Sequence, residues 1–280
     1  MRSRVLEHLL SSSIIFRTQK SLKRARQVTS EFHRIQRKLD NAGNCSADGF
    51  ERHSKVHPGR DELKRRLNQI GGRQAYQEAS VLTTTRHRTC KWVFSVLTKQ
   101  GLRPKRSQPA LRLLEVGAVN TQFLSVPWLD VRAIDIKSQH PRIEQIDFFS
   151  MEPESSYDAV VLSMVLNCVP SPRKRGQMLA LVRKHLLPGG QLFLMIPRRC
   201  IEASRFCTSG VLIEALSLLC MRVVETKLSP KIAFFCAQKM APQRAVDSAL
   251  RLSDPPKPLK GRAGYPDPFA ISFSPHDLII

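Results

Sequence analysis

Leu111-Arg112-Leu113-Leu114-Glu115-Val116-Gly117 is a mostly apolar run that stops at a glycine. A second short run, Val131-Arg132-Ala133-Ile134, ends on Asp135. The pair reads as strand, tight turn and strand, with a carboxylate at the carboxyl end of the second strand. In a doubly wound α/β sheet, ligands bind at that edge, where the strand order reverses. Glycine lets backbone approach a ligand closely, and a carboxylate there can accept both hydroxyls of a ribose. Further on, Leu186-Leu187-Pro188-Gly189-Gly190 closes a helical stretch and feeds a third apolar run, Leu192-Phe193-Leu194-Met195-Ile196. These runs point to an α/β domain that holds a nucleoside-bearing ligand.

The nature of the ligand follows from what the turn lacks. A dinucleotide fingerprint needs three glycines, G-x-G-x-x-G, so that a pyrophosphate can rest on backbone N–H groups. After Gly117 come Ala118, Val119, Asn120 and Thr121, so only the first glycine is present. A ligand without phosphates, such as S-adenosylmethionine, needs less glycine. Gly117 and Asp135 are therefore the candidate cofactor-binding residues. Asp147 joins them at the end of Ile143-Glu144-Gln145-Ile146, followed by Phe148-Phe149. A carboxylate there can accept the exocyclic amine of adenine while the Phe148 ring stacks on the base. As structural alternatives, Gly117 is an ordinary strand-end glycine, Asp135 a helix cap and Asp147 a solvated loop acid.

Outward from this core, apolar periodicity predicts strands at 111–116, 131–135, 143–146, 158–163, 191–196, 221–228 and 231–237, with helices near 173–187 and 208–219. Alternating strands and helices predict a parallel sheet with crossovers. Only Ser229-Pro230 separate the last two strands, so they should form an antiparallel hairpin. The segment from Gly117 to Val131 is short for a crossover helix, and Pro127 shortens it further. Upstream, residues 17–39 have a basic helical pattern, and Asn41 to Gly59 read as a linker. A short amphipathic helix at 61–67 ends at Gly71-Gly72, and another helix spans Cys90 to Lys99 with Trp92, Val93, Val96 and Leu97 on one face. The organisation expected is a basic arm and linker at 1–59, a helical segment at 60–110, the binding domain at 111–239 and a Pro-rich irregular tail at 240–280.

Charge is distributed unevenly along the 280 residues. The chain carries a net +22; residues 1–110 hold 24 Lys/Arg against 8 Asp/Glu, whereas residues 111–239 hold 16 against 11. A concentrated basic arm binds polyanions by counterion release, which points to nucleic acid; the plainer alternative is a solvated basic helix. The seven cysteines are odd in number and include no C-x-x-C pair, which argues against a disulfide framework and against a zinc site, so no metal is expected. No apolar stretch approaches the roughly 20 residues needed to span a bilayer. The first seventeen residues, MRSRVLEHLLSSSIIFR, are Arg- and Ser-rich with one acid, a pattern compatible with a mitochondrial transit peptide or with the start of the basic arm.

After the fourth strand comes Ser163-Met164-Val165-Leu166-Asn167-Cys168-Val169-Pro170. If the ligand is a methyl donor such as S-adenosylmethionine, that position lies at the same sheet edge as the donor, so Ser163 and Asn167 are the candidate acceptor-side, catalytic residues; either could instead cap a helix. Pro197-Arg198-Arg199 lies at the same edge and could position a phosphate. No Cys-His or Ser-His-Asp arrangement stands out. Methyl transfer to a ring nitrogen that has a free lone pair would require no strong base, because no proton is lost.

Several segments resemble the fungal adenine-N1 methyltransferases of large-subunit (25S) ribosomal RNA. They are Gly71 to Ser80, Leu113 to Ala118, Ala133 to Gln139, Glu144 to Phe148, Leu162 to Pro170 with Arg175 to Leu179, and Leu192 to Pro197 with Cys200 and Ser204-Arg205-Phe206. The resemblance covers about residues 60–239, and its Tyr-Gln-x-Ala-Ser and Val-Leu-Asn-x-Val-Pro blocks are not generic cofactor motifs. It implies a Rossmann-like class I methyltransferase sheet with an antiparallel C-terminal hairpin, preceded by a basic helical N-terminal extension. It also implies S-adenosylmethionine binding at Gly117 and Asp135, methylation of N1 of an rRNA adenine, engagement of the pre-ribosome through the basic arm, and a nuclear, nucleolar location. Leu10-Ser11-Ser12-Ser13 leading into that arm is similar to the family's start, which favours the arm over a mitochondrial signal. Two other functions fit parts of the pattern. One is a non-catalytic S-adenosylmethionine sensor, the kind an animal relative of the family represents, although a sensor has no use for a strongly basic arm. The other is an RNA-binding ribosome assembly factor with a vestigial cofactor fold.

Overall fold

The computed structural model describes residues 22–44, 58–72, 75–76, 78–79, 89–138, 140–241, 256–262 and 268–278. The Leu10–Ser13 segment, most of the expected linker and parts of the Tyr76–Ser80 block lie outside the described residues. The chain divides into two compact units, Met1–His87 and Arg88–Ile280.

In the first unit, helix α1 spans Leu22–Asn44 and α2 spans Pro58–Gln69. Sequence periodicity ends the first helix near residue 39, but it runs on through Gly43, a residue a helix interior tolerates at a cost of about 1 kcal/mol. Ala25 and Ile35 are buried, and the Phe32 and Tyr76 rings stack at 4.2 Å and 16°. Glu31 accepts from both Arg34 (2.6 Å) and Arg66 (2.9 Å), which links α1 to α2. After α2, Gly71 and Gly72 take φ of +87° and +60°, the left-handed ending that favours glycine.

In the second unit, α3 spans Thr89–Lys99 and is followed by β1 (Leu111–Val116), β2 (Leu129–Asp135), β3 (Glu144–Gln145), β4 (Tyr157–Ser163), α4 (Pro172–His185) and β5 (Leu186–Pro197). A one-turn α5 (Arg199–Glu202), α6 (Ser209–Leu218), β6 (Met221–Leu228) and β7 (Ile232–Lys239) complete the succession. The seven strands form one sheet in the order β3-β2-β1-β4-β5-β7-β6. Strands β1 to β5 are mutually parallel, and β7 runs antiparallel to both β5 and β6. The expected hairpin is present, with β7 inserted between β5 and the edge strand. Between β1 and β2 there is no helix; residues 120–125 make turns, as the short segment with Pro127 predicts.

Both faces of the sheet are covered, which is why its central strands are apolar at nearly every position. On one face Leu111 and Leu113 of β1 pack with Cys90, Trp92, Val93, Val96 and Leu97 of α3. That packing places α3 with the sheet. On the other face Leu114 and Val116 pack with Met178, Leu179 and Val182 of α4 and with Leu212, Ala215 and Leu216 of α6. Ser171 caps α4 by accepting from Lys174 N–H at 3.2 Å, and Pro172 opens the helix.

Two segments differ from the sequence expectation. Strand β5 begins at Leu186, not Gln191, because Leu186 is fully buried opposite Tyr157. Pro188-Gly189-Gly190 is then absorbed as an irregularity between the Tyr157 and Ala159 pairings, with Gly189 at φ +77°. Residues 269–274 hold no helix or strand yet are buried. They lie along α4: Ser272 N–H donates to Pro172 O at 3.2 Å, and Arg175 Nη1 donates to Ala270 O at 2.9 Å.

Candidate active site at the switch point

The strand order reverses between β1 and β4, since the chain proceeds outward from β1 through β2 and β3 on one side and through β4 and β5 on the other. Ligands bind outside the carboxyl ends of the strands at such a point. Gly117 ends β1 there with φ +74°. Its N–H donates to Ile134 O at 2.8 Å, and Ala118 N–H donates to the same oxygen at 2.9 Å. A β-carbon at Gly117 would stand 2.4 Å from Val165 Cγ2, so both the backbone conformation and the space demand glycine.

Asp135 ends the neighbouring strand β2. Its Oδ1 accepts from Lys137 N–H at 2.7 Å. Burial raises its pKa above the ordinary carboxylate value, and the Lys137 N–H opposes that rise. Asp135 caps no helix: the backbone after it turns, and Ile136 leaves an apolar side chain 63% exposed beside the carboxylate. One strand further out, Ile146 N–H donates to Asp135 O at 3.1 Å, which brings Asp147 to the same edge. Asp147 caps a single 3-10 turn, Phe148–Ser150, accepting from Phe149 N–H at 3.0 Å. The two phenylalanines part company. Phe148 is buried in the core with its ring 5.3 Å from that of His185. Phe149 is 38% exposed and has Lys174 Nζ 5.9 Å from its ring centroid.

Neither acceptor-side candidate is a helix cap. Ser163, the last residue of β4, has its hydroxyl 3.3 Å from Thr89 Oγ1 at the start of α3. Asn167 lies in a 3-10 turn, Leu166–Cys168, that has no side-chain cap. Between them Met164 sits at φ +62°, a region that non-glycine residues seldom occupy and that concentrates at functional sites. Arg198, offered above as a phosphate contact, is engaged within the sheet rim: its guanidinium meets Glu202 at 2.5 Å and Ser229 O at 3.3 Å.

Glu115 was not among the residues singled out from the sequence. It is 6% exposed inside β1, and its Oε2 has no hydrogen-bond partner among the described residues. Burial pushes its pKa up to about 8. On the same sheet face, Cys90 Sγ–H donates to Gln122 Oε1 at 2.8 Å, and Glu115 contributes to the raised pKa of the Cys90 thiol. A buried, unpartnered carboxylate two residues before the switch-point glycine can receive a cation such as an amino-acid ammonium. The signal was available in the sequence as an acid in the apolar part of the strand, between Leu114 and Val116. Among the described residues no group of three or more His, Cys, Asp or Glu could hold a metal ion, and no helix is long and apolar enough to cross a membrane.

A parallel sheet in this order, closed by an antiparallel hairpin and carrying a glycine and an acid at the ends of its first two strands, is the class I, Rossmann-like methyltransferase fold. The chain belongs to the family described as 25S rRNA (adenine(2142)-N(1))-methyltransferase, Bmt2, which matches residues 61–255. It is 26% identical over 186 residues to the 25S rRNA (adenine(2142)-N(1))-methyltransferase of Saccharomyces cerevisiae, covering 64% of this chain and 54% of that protein. It is 30% identical over 144 residues to the 25S rRNA adenine-N(1) methyltransferase of Schizosaccharomyces pombe, covering 48% and 53% respectively. The chain thus spans about half the length of the curated relatives it matches. Among solved structures it is similar to 1,6-didemethyltoxoflavin-N1-methyltransferase of Burkholderia thailandensis, at TM-score 0.48 and 14% identity over 68% of this chain and 94% of that one. It is also similar to the 16S rRNA (adenine(1408)-N(1))-methyltransferase of Catenulisporales acidiphilia, at TM-score 0.39 and 15% identity over 48% and 90%.

Proposed function

We propose that this chain is an S-adenosylmethionine-dependent methyltransferase that modifies N1 of an adenine in large-subunit ribosomal RNA. One observation carries the reading: the stretch that matches the rRNA adenine-N1 methyltransferase family contains the whole switch-point site, from Glu115 to Asn167. The residues present fit the cofactor. Glu115 offers its orphaned buried carboxylate oxygen to the ammonium of the methionine portion, and the Gly117 turn lets the backbone come close. Asp135 accepts the ribose hydroxyls, Ile136 lays an apolar surface against the adenine, and Asp147 accepts its exocyclic amine. Phe148 contributes as buried support beneath that loop, with Phe149 at the surface. Bound there, the cofactor supplies an electrophilic methyl carbon on sulfonium.

The protein's part is to orient the acceptor for in-line displacement, which is worth far more here than a base. N1 lies on the Watson–Crick edge, so the target adenine must be unpaired or flipped out. The basic amino-terminal region, including α1, supplies the counterion-releasing contact with rRNA and the pre-ribosome, and a nucleolar location follows from that substrate.

The test is calorimetric titration of S-adenosylmethionine into the intact chain, followed by mapping of N1-methyladenosine in rRNA. Saturable binding is expected, weakened about 10- to 100-fold by Asp135→Ala, the loss of hydrogen bonds to a charged acceptor. Absence of binding overturns the enzyme. Binding without any methylated adenine leaves a sensor in its place.

A further inference from the structure

Asn167 is held so that one half of its amide is used and the other is kept waiting. Its Nδ2 donates to Cys168 Sγ at 3.4 Å, and that thiol in turn donates to Met164 O at 3.3 Å. Oδ1 is left buried with no hydrogen-bond partner among the described residues, a condition that costs stability unless something arrives to fill it. The backbone around it is also strained into place: Met164 stands at φ +62° while its N–H donates to Met195 O at 2.9 Å on the adjacent strand. The same loop touches the cofactor side of the site, because Val165 Cγ2 occupies the space beside Gly117. Oδ1 therefore stands as a lone carbonyl acceptor on the loop after β4, the loop whose Val165 borders the Gly117 turn, and a base reaches it by displacing what covers it.

We infer that Asn167 Oδ1 accepts a hydrogen bond from the N6 amine of the target adenine and is the residue that selects adenine for N1 methylation; this rests on the function proposed above. In the reaction the N1 lone pair forms the new N1–carbon bond, the carbon–sulfur bond breaks and its electron pair stays on sulfur. The positive charge passes from sulfonium to the purine, where it spreads onto the N6 amine, and no proton is lost. An acceptor on that amine binds the charged product-like state more strongly than the neutral base, so it lowers the barrier as well as orienting the ring. Guanine and hypoxanthine present an oxygen at the same position. Two acceptors would then face each other, and discrimination against such a mismatch is large.

The experiment is single-turnover methylation of a synthetic 25S rRNA fragment spanning the position that matches adenine 2142, with S-adenosylmethionine at saturation. The target nucleotide is adenine or purine riboside, which lacks the N6 amine. The intact chain is compared with Asn167→Ala and with Asn167→Asp, which retains an acceptor. Asn167→Ala is expected to slow transfer to adenine about 10- to 100-fold, the range for a hydrogen bond that gains charge. It should slow transfer to purine riboside less than about twofold, since there the partner is already missing. Asn167→Asp should keep the preference for adenine. Equal slowing on both RNAs, or no slowing on adenine, overturns the inference and leaves the parent function intact. A natural chain that binds S-adenosylmethionine but methylates neither RNA overturns both.

Discussion

Gly117 and Val165 compete for one position: a β-carbon on the glycine would lie 2.4 Å from Val165 Cγ2. The turn after β1 and the loop after β4 therefore meet across the switch point, and the cofactor side and acceptor side of the proposed site would share a wall. Gly117→Ala should cost about 1–2 kcal/mol for the left-handed conformation alone and should abolish S-adenosylmethionine binding by pushing the loops apart. Adding Val165→Ala removes the collision and leaves the φ of +74°. The double variant should regain part of the binding in calorimetry, and a double variant as poor as the single one would mean that the contact is immaterial.

Glu115, in the role proposed for it, should couple cofactor binding to pH. Its carboxyl is raised from 4.5 to about 8 by burial, so the folded chain keeps a proton that the unfolded chain releases. Stability then falls as pH rises from about 4.5 towards 8. An ammonium placed beside Glu115 favours the ionised form, so binding at pH 7 should expel a proton. Calorimetry in buffers of different ionisation enthalpy reads this directly. Glu115→Gln should abolish the proton release and weaken binding. The same substitution should stabilise the unliganded chain by about 1–3 kcal/mol at pH 8, where the wild type holds a buried charge or its desolvation cost.

His185 should make the fold acid-sensitive. Its ring is completely buried beside Phe148 and Tyr157, and neither nitrogen has a hydrogen-bond partner among the described residues. Burial, reinforced by the Arg132 charge and opposed by Glu154, lowers its pKa below 6.5. The folded state thus resists a proton that the unfolded state takes up. The resulting stability is present above pH 6.5 and is lost as pH falls below it. His185→Phe should lessen the drop in melting temperature between pH 7.5 and pH 5, at about 2–4 °C for each kcal/mol. An unchanged drop would place the acid sensitivity elsewhere.

Gly176 should govern the docking of the carboxyl-terminal segment. A β-carbon there would meet Ser272 O at 2.0 Å and Phe273 Cδ1 at 2.9 Å. Gly176→Ala makes α4 a better helix by about 1 kcal/mol yet displaces the segment that covers it. Chymotrypsin should then cut after Phe269 or Phe273 faster than in the wild type, with the sheet still protected. Unaltered cleavage would show that the segment slides to accommodate a methyl group.

Local patterns carried most of the fold. Apolar runs marked the central strands, the two residues Ser229-Pro230 required a hairpin, and the short segment with Pro127 left little room for a crossover helix between β1 and β2. Gly117, Asp135 and Asp147 stood out as candidates because each ends or closely follows a strand-like run, where period-two patterning stops. Tertiary structure decided matters that depend on what a residue meets across the chain. Phe148 and Phe149 are the same residue type in adjacent positions, and only the packing of α4 and β5 determines which is buried. Glu115 is an ordinary acid until two covered sheet faces remove its water. The segment at 269–274 has no periodicity of its own, and its burial follows from contacts such as Arg175 with Ala270, 95 residues apart in the chain. Periodicity records which way neighbouring side chains face, whereas burial and lost hydration arise only when distant segments come together.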